Sequence, residues 1–467
     1  MKNIFIFVVI FGISMGGPDA FSQEKPANPA LTLEECIRLA LKNRPELKMA
    51  TMDVLNAEYQ VKETTSNYYP HLNFNTGYTR FNRPESFKTD VNISSIAKEI
   101  NPVITQFGKE IPSHIPQEVE VGKTNWFFVS LDLNQPIYTF GRIEEGVKQA
   151  RIGHSIAINQ KEKKKKEIVF EVKKGYYQFL LAKEIHQLMK EAEARVNVVA
   201  RMVKISYETS VPEKEEKGTT RLDYLKTKNF HSEVKARLSE ANKNLKLAEL
   251  GLKMAVGVNS DETLEVLSVV EIPLESIPMT LLNSEGVKEK TRERNIDLKN
   301  LDLGVQLFDA KRRAARKEYL PKIGLQGQYV GPEDRYGTEN FWYLGIGITM
   351  PLFDGFSTKA KIGQAEAQFQ KTKGQKFLLE KALSVQIDHL HTTLIELRER
   401  IEILQNAIKE AQERTQLAAD GYAAGITEYD ELLLAQRAEL EMKSAYLQGL
   451  YLYQTTISEM ELISGEI

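Results

Sequence analysis

Between Phe341 and Met350 apolar and polar positions alternate. Trp342, Leu344, Ile346, Ile348 and Met350 fall on one side, and Tyr343, Gly345, Gly347 and Thr349 on the other, the period of two that predicts a strand with a different environment on each face. Pro351 then stops the strand and Gly355 turns the chain. Phe127 to Gln135 has the same layout, with Phe127, Val129, Leu131 and Leu133 against Phe128, Ser130, Asp132 and Asn134, a stop at Pro136 and a turn at Gly141. Weaker alternation predicts two partner strands, His71–Arg80 and Lys322–Val330. Residues 82–124, which carry Pro84, Pro102, Pro112 and Pro116, read as a long loop.

The period changes after each turn. Proline is absent between Pro136 and Pro212 and again after Pro351, and helix formers dominate both stretches. A helix over Arg142–Tyr207 would be about 100 Å long at 1.5 Å per residue, too long for a globular core. Its apolar positions, among them Ile168, Val172, Tyr176, Phe179 and Leu180, form a narrow seam suited to coiled-coil packing. Leu222–Val258 is the returning helix, after a charged turn at 211–219. In the later half the pair is Thr358–Leu417 and Glu428–Ile463, joined at 421–427. Helices before Tyr68 and over Ile296–Tyr319 precede the two strand pairs.

The intervals indicate a duplication. Leu47 to Pro70 and Leu298 to Pro321 are both 23 positions, and Pro136 to Tyr207 and Pro351 to Tyr422 are both 71. The halves differ in their loops: Pro70 to Pro136 is 66 positions against 30 for Pro321 to Pro351. Insertions confined to loops are what a repeated scaffold tolerates. The expected organisation is a leader over 1–22, a first repeat over 23–258, a connector over 259–283 and a second repeat over 284–467.

Composition changes this picture at one end. Lys2, the apolar run Ile4–Ile13 and the small-residue stop at Ala20-Phe21-Ser22 predict a secretory signal peptide. The 62 basic and 64 acidic residues of the 467 balance to a net charge of −2, which offers no field for nucleic acid. The lone Cys36 sits in a helical pattern and reads as a small buried hydrophobe. His389 and His391, two apart on a helix, point to different faces and are not expected to share a metal. The Lys161–Lys166 run and the Lys311–Lys317 cluster read as solvated helix faces. No catalytic constellation or cofactor motif appears, so neither an enzyme nor a cofactor is expected.

Strands of about ten residues match a tilted membrane-spanning β-strand. Four cannot close a barrel, whereas three copies of the chain would supply twelve; a soluble antiparallel sheet with one buried face remains the competing reading. With the long helices, the QPIYTFGR and MPLFDGFS elbows and the turn YAAGITEYDELLLAQ from Tyr422 to Gln436, the chain resembles the TolC family of trimeric outer-membrane efflux channels along essentially the whole mature sequence. The resemblance implies a mainly α protein with membrane β: a twelve-stranded β-barrel in the outer membrane, built from four strands per chain, continued by a long antiparallel α-helical barrel in the periplasm. It implies a homotrimer in contact with outer-membrane lipid, partnered by a periplasmic adaptor and an inner-membrane transporter. It also implies that the entrance closes at the helix-hairpin tips, where aspartates form a constricting ring and a tyrosine helps to hold the closed state. By position these are Asp430 and Tyr422 with Gly425 at the second tip, and Asp223 and Tyr207 at the first. A second ring position falls at Leu433, with Glu431 the nearby acid, and the basic residue that often follows the tip glycine is replaced by Ile426-Thr427. The alternative is a periplasmic coiled-coil scaffold or adaptor that never enters the membrane.

Overall fold

The computed structural model describes residues 32–83, 85–121, 124–209, 221–259, 261, 283–333 and 339–466. The expected leader, most of the connector and the first helix-hairpin turn lie outside them. The described residues group into two compact units, one comprising 32–43 with 175–261, the other 44–174 with 283–466.

The second unit holds a four-stranded antiparallel sheet of β1 (His71–Arg80), β4 (Asn125–Tyr138), β5 (Lys322–Glu333) and β6 (Glu339–Thr349) in the order β1-β4-β5-β6. These are the four expected strands. In the register Phe74 faces Leu131, Leu131 faces Tyr329, and Tyr329 faces Trp342. Directly paired residues share a face of the sheet, so the apolar positions of all four strands merge into one surface. That surface is uncovered: Leu72, Phe74, Tyr78, Phe127, Trp342, Leu344, Ile346 and Ile348 are each more than half exposed. Tyr343, across the alternation from Trp342, pairs with Gln328 and lies on the opposite face. That face is largely polar. Asn75 donates to Asp132, Gln328 Nε2 donates to Asp132 Oδ1 at 2.6 Å, and Ser130 Oγ donates to Asp132 Oδ2 at 3.3 Å.

Two expectations are corrected. The 82–124 stretch is not an irregular loop: it contains β2 (Glu85–Asn92) paired with β3 (His114–Val121), and α3 (Ser94–Ile104) between them. Pro116 lies in a two-stranded ribbon, where both strands are edges and proline is tolerated. Likewise Pro136 does not end its strand. β4 runs on to Tyr138, with an irregularity in the β5 pairing just after Pro136. The pairing with β1 has ended by then, at His71–Asn134, so on the β1 side no ladder partner awaits the missing N–H.

Before β1, the helices α1 (Leu33–Asn43) and α2 (Pro45–Ser66) are separated by one extended residue, Arg44, with φ −62° and ψ 121°. Before β5, α6 (Ser284–Arg294) and α7 (Ile296–Arg316) are separated by Asn295, with φ −61° and ψ 124°. The α1 start is a reciprocal cap: Glu35 N donates to Thr32 Oγ1 at 3.2 Å while Thr32 N donates to Glu35 Oε2 at 2.9 Å. Cys36 is fully buried, as expected, and burial, then Glu35, pushes its thiol up to about 11.

The long helices are α4 (Arg142–Thr209, 68 residues) and α8 (Ser357–Ala423, 67 residues), with α5 (Arg221–Val256) and α9 (Tyr429–Ser464) returning. Leu383, Ile387, Leu390, Leu394, Leu397 and Ile401 of α8 are buried at alternating four- and three-residue steps, a coiled-coil seam. At Gly449 of α9 an added Cβ would come within 3.2 Å of Ile401 Cγ1, so the glycine permits the close approach. The expected α4 seam residues, Ile168, Val172, Tyr176, Phe179 and Leu180, are all buried. None of the described helices is long and apolar enough to cross a membrane.

Candidate functional site

At the second hairpin tip α8 ends in a Schellman turn. Gly425 takes φ +71°, Gly425 N donates to Tyr422 O at 3.0 Å and Ile426 N donates to Gly421 O at 2.8 Å, which satisfies the last carbonyls of the helix. The apolar contact that usually accompanies this turn is missing, because Gly421 has no side chain and Ile426 is 83% exposed. Tyr422 meets Tyr429 edge-on at 5.6 Å and packs on Ala418, Leu432 and Ala435. Asp430, the second residue of α9, is exposed, and its carboxylate adjoins the positive end of that helix. Glu431, expected to join Asp430 at the constriction, is held by its own hairpin: Arg414 donates to its Oε1 from Nη2 at 2.8 Å and from Nε at 3.1 Å.

At the first tip the turn itself lies outside the described residues, but its flanks are placed. Tyr207 of α4 stacks face to face on Tyr224 of α5, with centroids 5.3 Å apart and planes 6° from parallel. Asp223 is half-buried in the first turn of α5, and its backbone carbonyl accepts from Thr227 Oγ1 at 2.7 Å. Each tip therefore has an aspartate beside a tyrosine that contacts the tip tyrosine. Tyr224 and Tyr429 were absent from the expected site, as was Arg414, although each tyrosine adjoins the predicted aspartate in sequence.

The strand-to-helix elbows place Gly141 and Gly355 in left-handed conformations, φ +77° and +63°. Each has a phenylalanine beside it in the same region, Phe140 at +53° and Phe356 at +67°. The order is reversed, Phe-Gly at the first elbow and Gly-Phe at the second. Sequence reasoning fixed on the glycines and missed the aromatic partners. Phe140 leans on Tyr138 at 4.6 Å and Phe356 on Phe353 at 5.6 Å, contacts that help to hold a conformation costing a non-glycine residue about 1–2 kcal/mol. Pro351 lies just beyond the end of β6.

Within the basic cluster near residue 312, Arg313 and Lys317 brace the first elbow, whereas Lys311 and Arg316 keep the expected exposed face. Lys317 Nζ donates to Gly141 O at 3.3 Å and to Glu145 Oε1 at 3.1 Å, Arg313 Nε donates to the same Glu145 oxygen at 3.0 Å, and Arg312 reaches Glu366 at 2.9 Å. Glu145 is 8% exposed. Burial alone would raise its carboxyl, but the hydrogen bonds from Arg313 and Lys317 outweigh this and hold it below the usual range. At the second elbow Asp354 accepts from Thr358 N at 2.8 Å and from Thr358 Oγ1, which lowers its carboxyl.

The described residues contain no group of three or more His, Cys, Asp or Glu side chains able to hold a metal.

The outer membrane efflux protein family model matches residues 36–258 and again 287–466. Toxin and drug export protein A of Aggregatibacter actinomycetemcomitans is 20% identical over 425 residues, covering 90% of this chain and 83% of that protein. Among solved structures, the outer-membrane channel OprN aligns with TM-score 0.74 at 15% identity, over 93% of this chain and 89% of its own. The Campylobacter jejuni CmeC outer membrane channel aligns with TM-score 0.71 at 17% identity, over 97% and 93%.

Proposed function

The chain belongs to the outer membrane efflux protein family, and from that premise we propose that it is the exit duct of a tripartite efflux or type I secretion system. Three copies form a passive conduit across the periplasm and the outer membrane. Cargo arrives from an inner-membrane transporter through a periplasmic adaptor, and the duct supplies neither energy nor chemistry. The observation that carries this reading is the sheet. Its apolar face is exposed over all four strands, and among the described residues β1 and β6 each have one strand neighbour, leaving a free edge at either side. In water both features promote aggregation. In a bilayer the apolar face is solvated by lipid, but free backbone edges cannot be tolerated, so β6 of one copy pairs with β1 of the next until the barrel closes. The Asp132 network and its neighbours then line the lumen.

The two matches to one family model, the paired helix breaks at Arg44 and Asn295 and the paired left-handed elbows support descent by internal duplication. The gate lies at the hairpin tips. Three copies of Asp430 about the axis would raise the local concentration of cations, with Tyr207 and Tyr422 anchoring their hairpins through Tyr224 and Tyr429. Reconstitution into a planar bilayer is the test. Discrete cation-preferring conductance that rises in Asp430→Ala, with weaker block by divalent cations, is the expected result; a protein that leaves outer-membrane preparations in carbonate without detergent would sink the proposal and favour a periplasmic scaffold.

A further inference from the structure

A cavity of about 610 Å³ lies where the lower end of the sheet meets α2 and α4, within the usual range of small-molecule sites. It opens on the polar face: Asn134 pairs with Gln326 and Lys322 with Thr349, all on the side that carries Asp132 and Gln328. Its lining contains two cations, Arg142 at the start of α4 and Lys322 at the start of β5, and no carboxylate. Among the described residues neither cation has an acid within ion-pair distance. This is unusual in a chain whose cationic side chains are so often paired across helices, as Lys163 is with Asp297 and Lys376 with Asp302. Asn67, Asn134, Gln326 and Thr349 add neutral hydrogen-bonding groups to the same wall. The smaller recess at the second hairpin tip, about 390 Å³, has the opposite balance, with Glu410, Glu413 and Glu431 against Arg414.

We propose that the sheet-end cavity is a binding site for organic anions, molecules that present a sulfonate, carboxylate or phosphate group to Arg142 and Lys322 while their apolar body rests on the Ile143 and Pro136 side of the wall. Two cations that converge on one recess, Arg142 half-buried and Lys322 more exposed, attract an anion more strongly than either charge alone, and the planar guanidinium suits an oxyanion in particular. The cavity lies within one chain, so binding does not require the assembled duct. That exported cargo meets the site, on the lumen side of the barrel, rests on the channel reading above.

Calorimetric titration of the full-length, detergent-solubilised protein with pyrenesulfonate, and with uncharged pyrenemethanol as its control, tests the assignment. Saturable binding of pyrenesulfonate at one per chain, with much weaker binding of pyrenemethanol, is expected from the wild-type protein alone. Arg142→Gln and Lys322→Gln should each weaken pyrenesulfonate about tenfold, the loss of one charge-assisted hydrogen bond, while Lys359→Gln, on the exposed surface of α8, leaves it unchanged. Equal affinity for the two pyrenes, or wild-type affinity in the double variant, would overturn the site. Inorganic phosphate binding as tightly as pyrenesulfonate would also overturn it, by showing a site for the bare ion. Normal bilayer conductance without pyrenesulfonate binding would remove this site and leave the channel reading standing; binding without conductance would do the reverse.

Discussion

The first elbow places Phe140 and Gly141 in the left-handed region, and the second places Gly355 and Phe356 there, at matching positions after Pro136 and Pro351. The backbone is kept although the glycine has moved by one residue, so what each half requires is the bend rather than any particular side chain. The bracing differs more. At the first elbow, Arg313 of α7 and Lys317 just beyond its end cross to Glu145, and Lys317 also to the Gly141 carbonyl; at the second, the Asp354 cap on Thr358 is local, helped by a Lys361–Glu318 pair. A long-range brace is exposed to loss of a single partner in a way that a local cap is not.

Removing Glu145 should therefore have the largest effect. Glu145→Ala takes from Lys317 its carboxylate partner and leaves Arg313 with Asp309, and losing these charge-assisted hydrogen bonds costs roughly 2 kcal/mol. The apparent melting temperature of the detergent-solubilised protein, followed by circular dichroism, should fall further than for any other variant discussed below. The same residue predicts a pH dependence. Its carboxyl is lowered in the folded protein, so its contribution is present above the unfolded carboxylate value of about 4.3 and is lost as the pH falls through the lower folded value. The gap between wild type and Glu145→Gln should close in acid below that range.

A smaller loss separates the two elbow glycines. Both have positive φ, so either alanine variant carries a backbone cost of about 1 kcal/mol. At Gly141 an added Cβ would also come within 2.8 Å of Lys317 Nζ, whereas at Gly355 nothing lies within 4 Å. Gly141→Ala should thus melt below Gly355→Ala; equal melting temperatures would mean that Lys317 yields freely and that the brace is not a constraint. Smallest is Arg414→Ala at the second tip. Its partner Glu431 and Arg414 itself are about half exposed, 45% and 52%, and such pairs are worth on the order of 0.5 kcal/mol. Stability should hardly change, and cation preference in the bilayer should rise as the Glu431 carboxylate is released.

Much of the architecture was legible because long elements carry strong periods. The four sheet strands and the two long helices lie within a few residues of their expected bounds, since alternation over ten residues and proline-free runs of sixty are hard to imitate by chance. The β2–β3 ribbon was missed because Pro84, Pro102, Pro112 and Pro116 were read as breakers, although Pro102 lies inside α3 and Pro116 inside β3. Phe87, Thr89 and Val91 do alternate with Ser86, Lys88 and Asp90, but over a run too short to outweigh the prolines around it. The helix α6 was also missed: with only Val287 and Thr291 buried, it has almost no apolar stripe to read.

The site was legible as a location and less so as a set of contacts. Asp223, Asp430 and the tip tyrosines follow from the resemblance to the TolC family, and the equal intervals of 71 positions from Pro136 to Tyr207 and from Pro351 to Tyr422 support the tyrosines. That Glu431 folds back on Arg414 depends on which faces of α8 and α9 meet, and the 17 positions between them do not determine that. Arg313 in the basic cluster near residue 312 looked solvent-facing for the same reason, because its partner Glu145 is 168 positions away.

The central claim is that four strands close only in company. Light scattering of the protein extracted from outer membranes, corrected for bound detergent, tests it directly. The account predicts a particle of three chains, each somewhat below the 53.1 kDa of the full sequence. A monomer or dimer that persists with or without detergent would mean that the apolar face and both free edges are satisfied some other way, and the duct would be lost with the barrel.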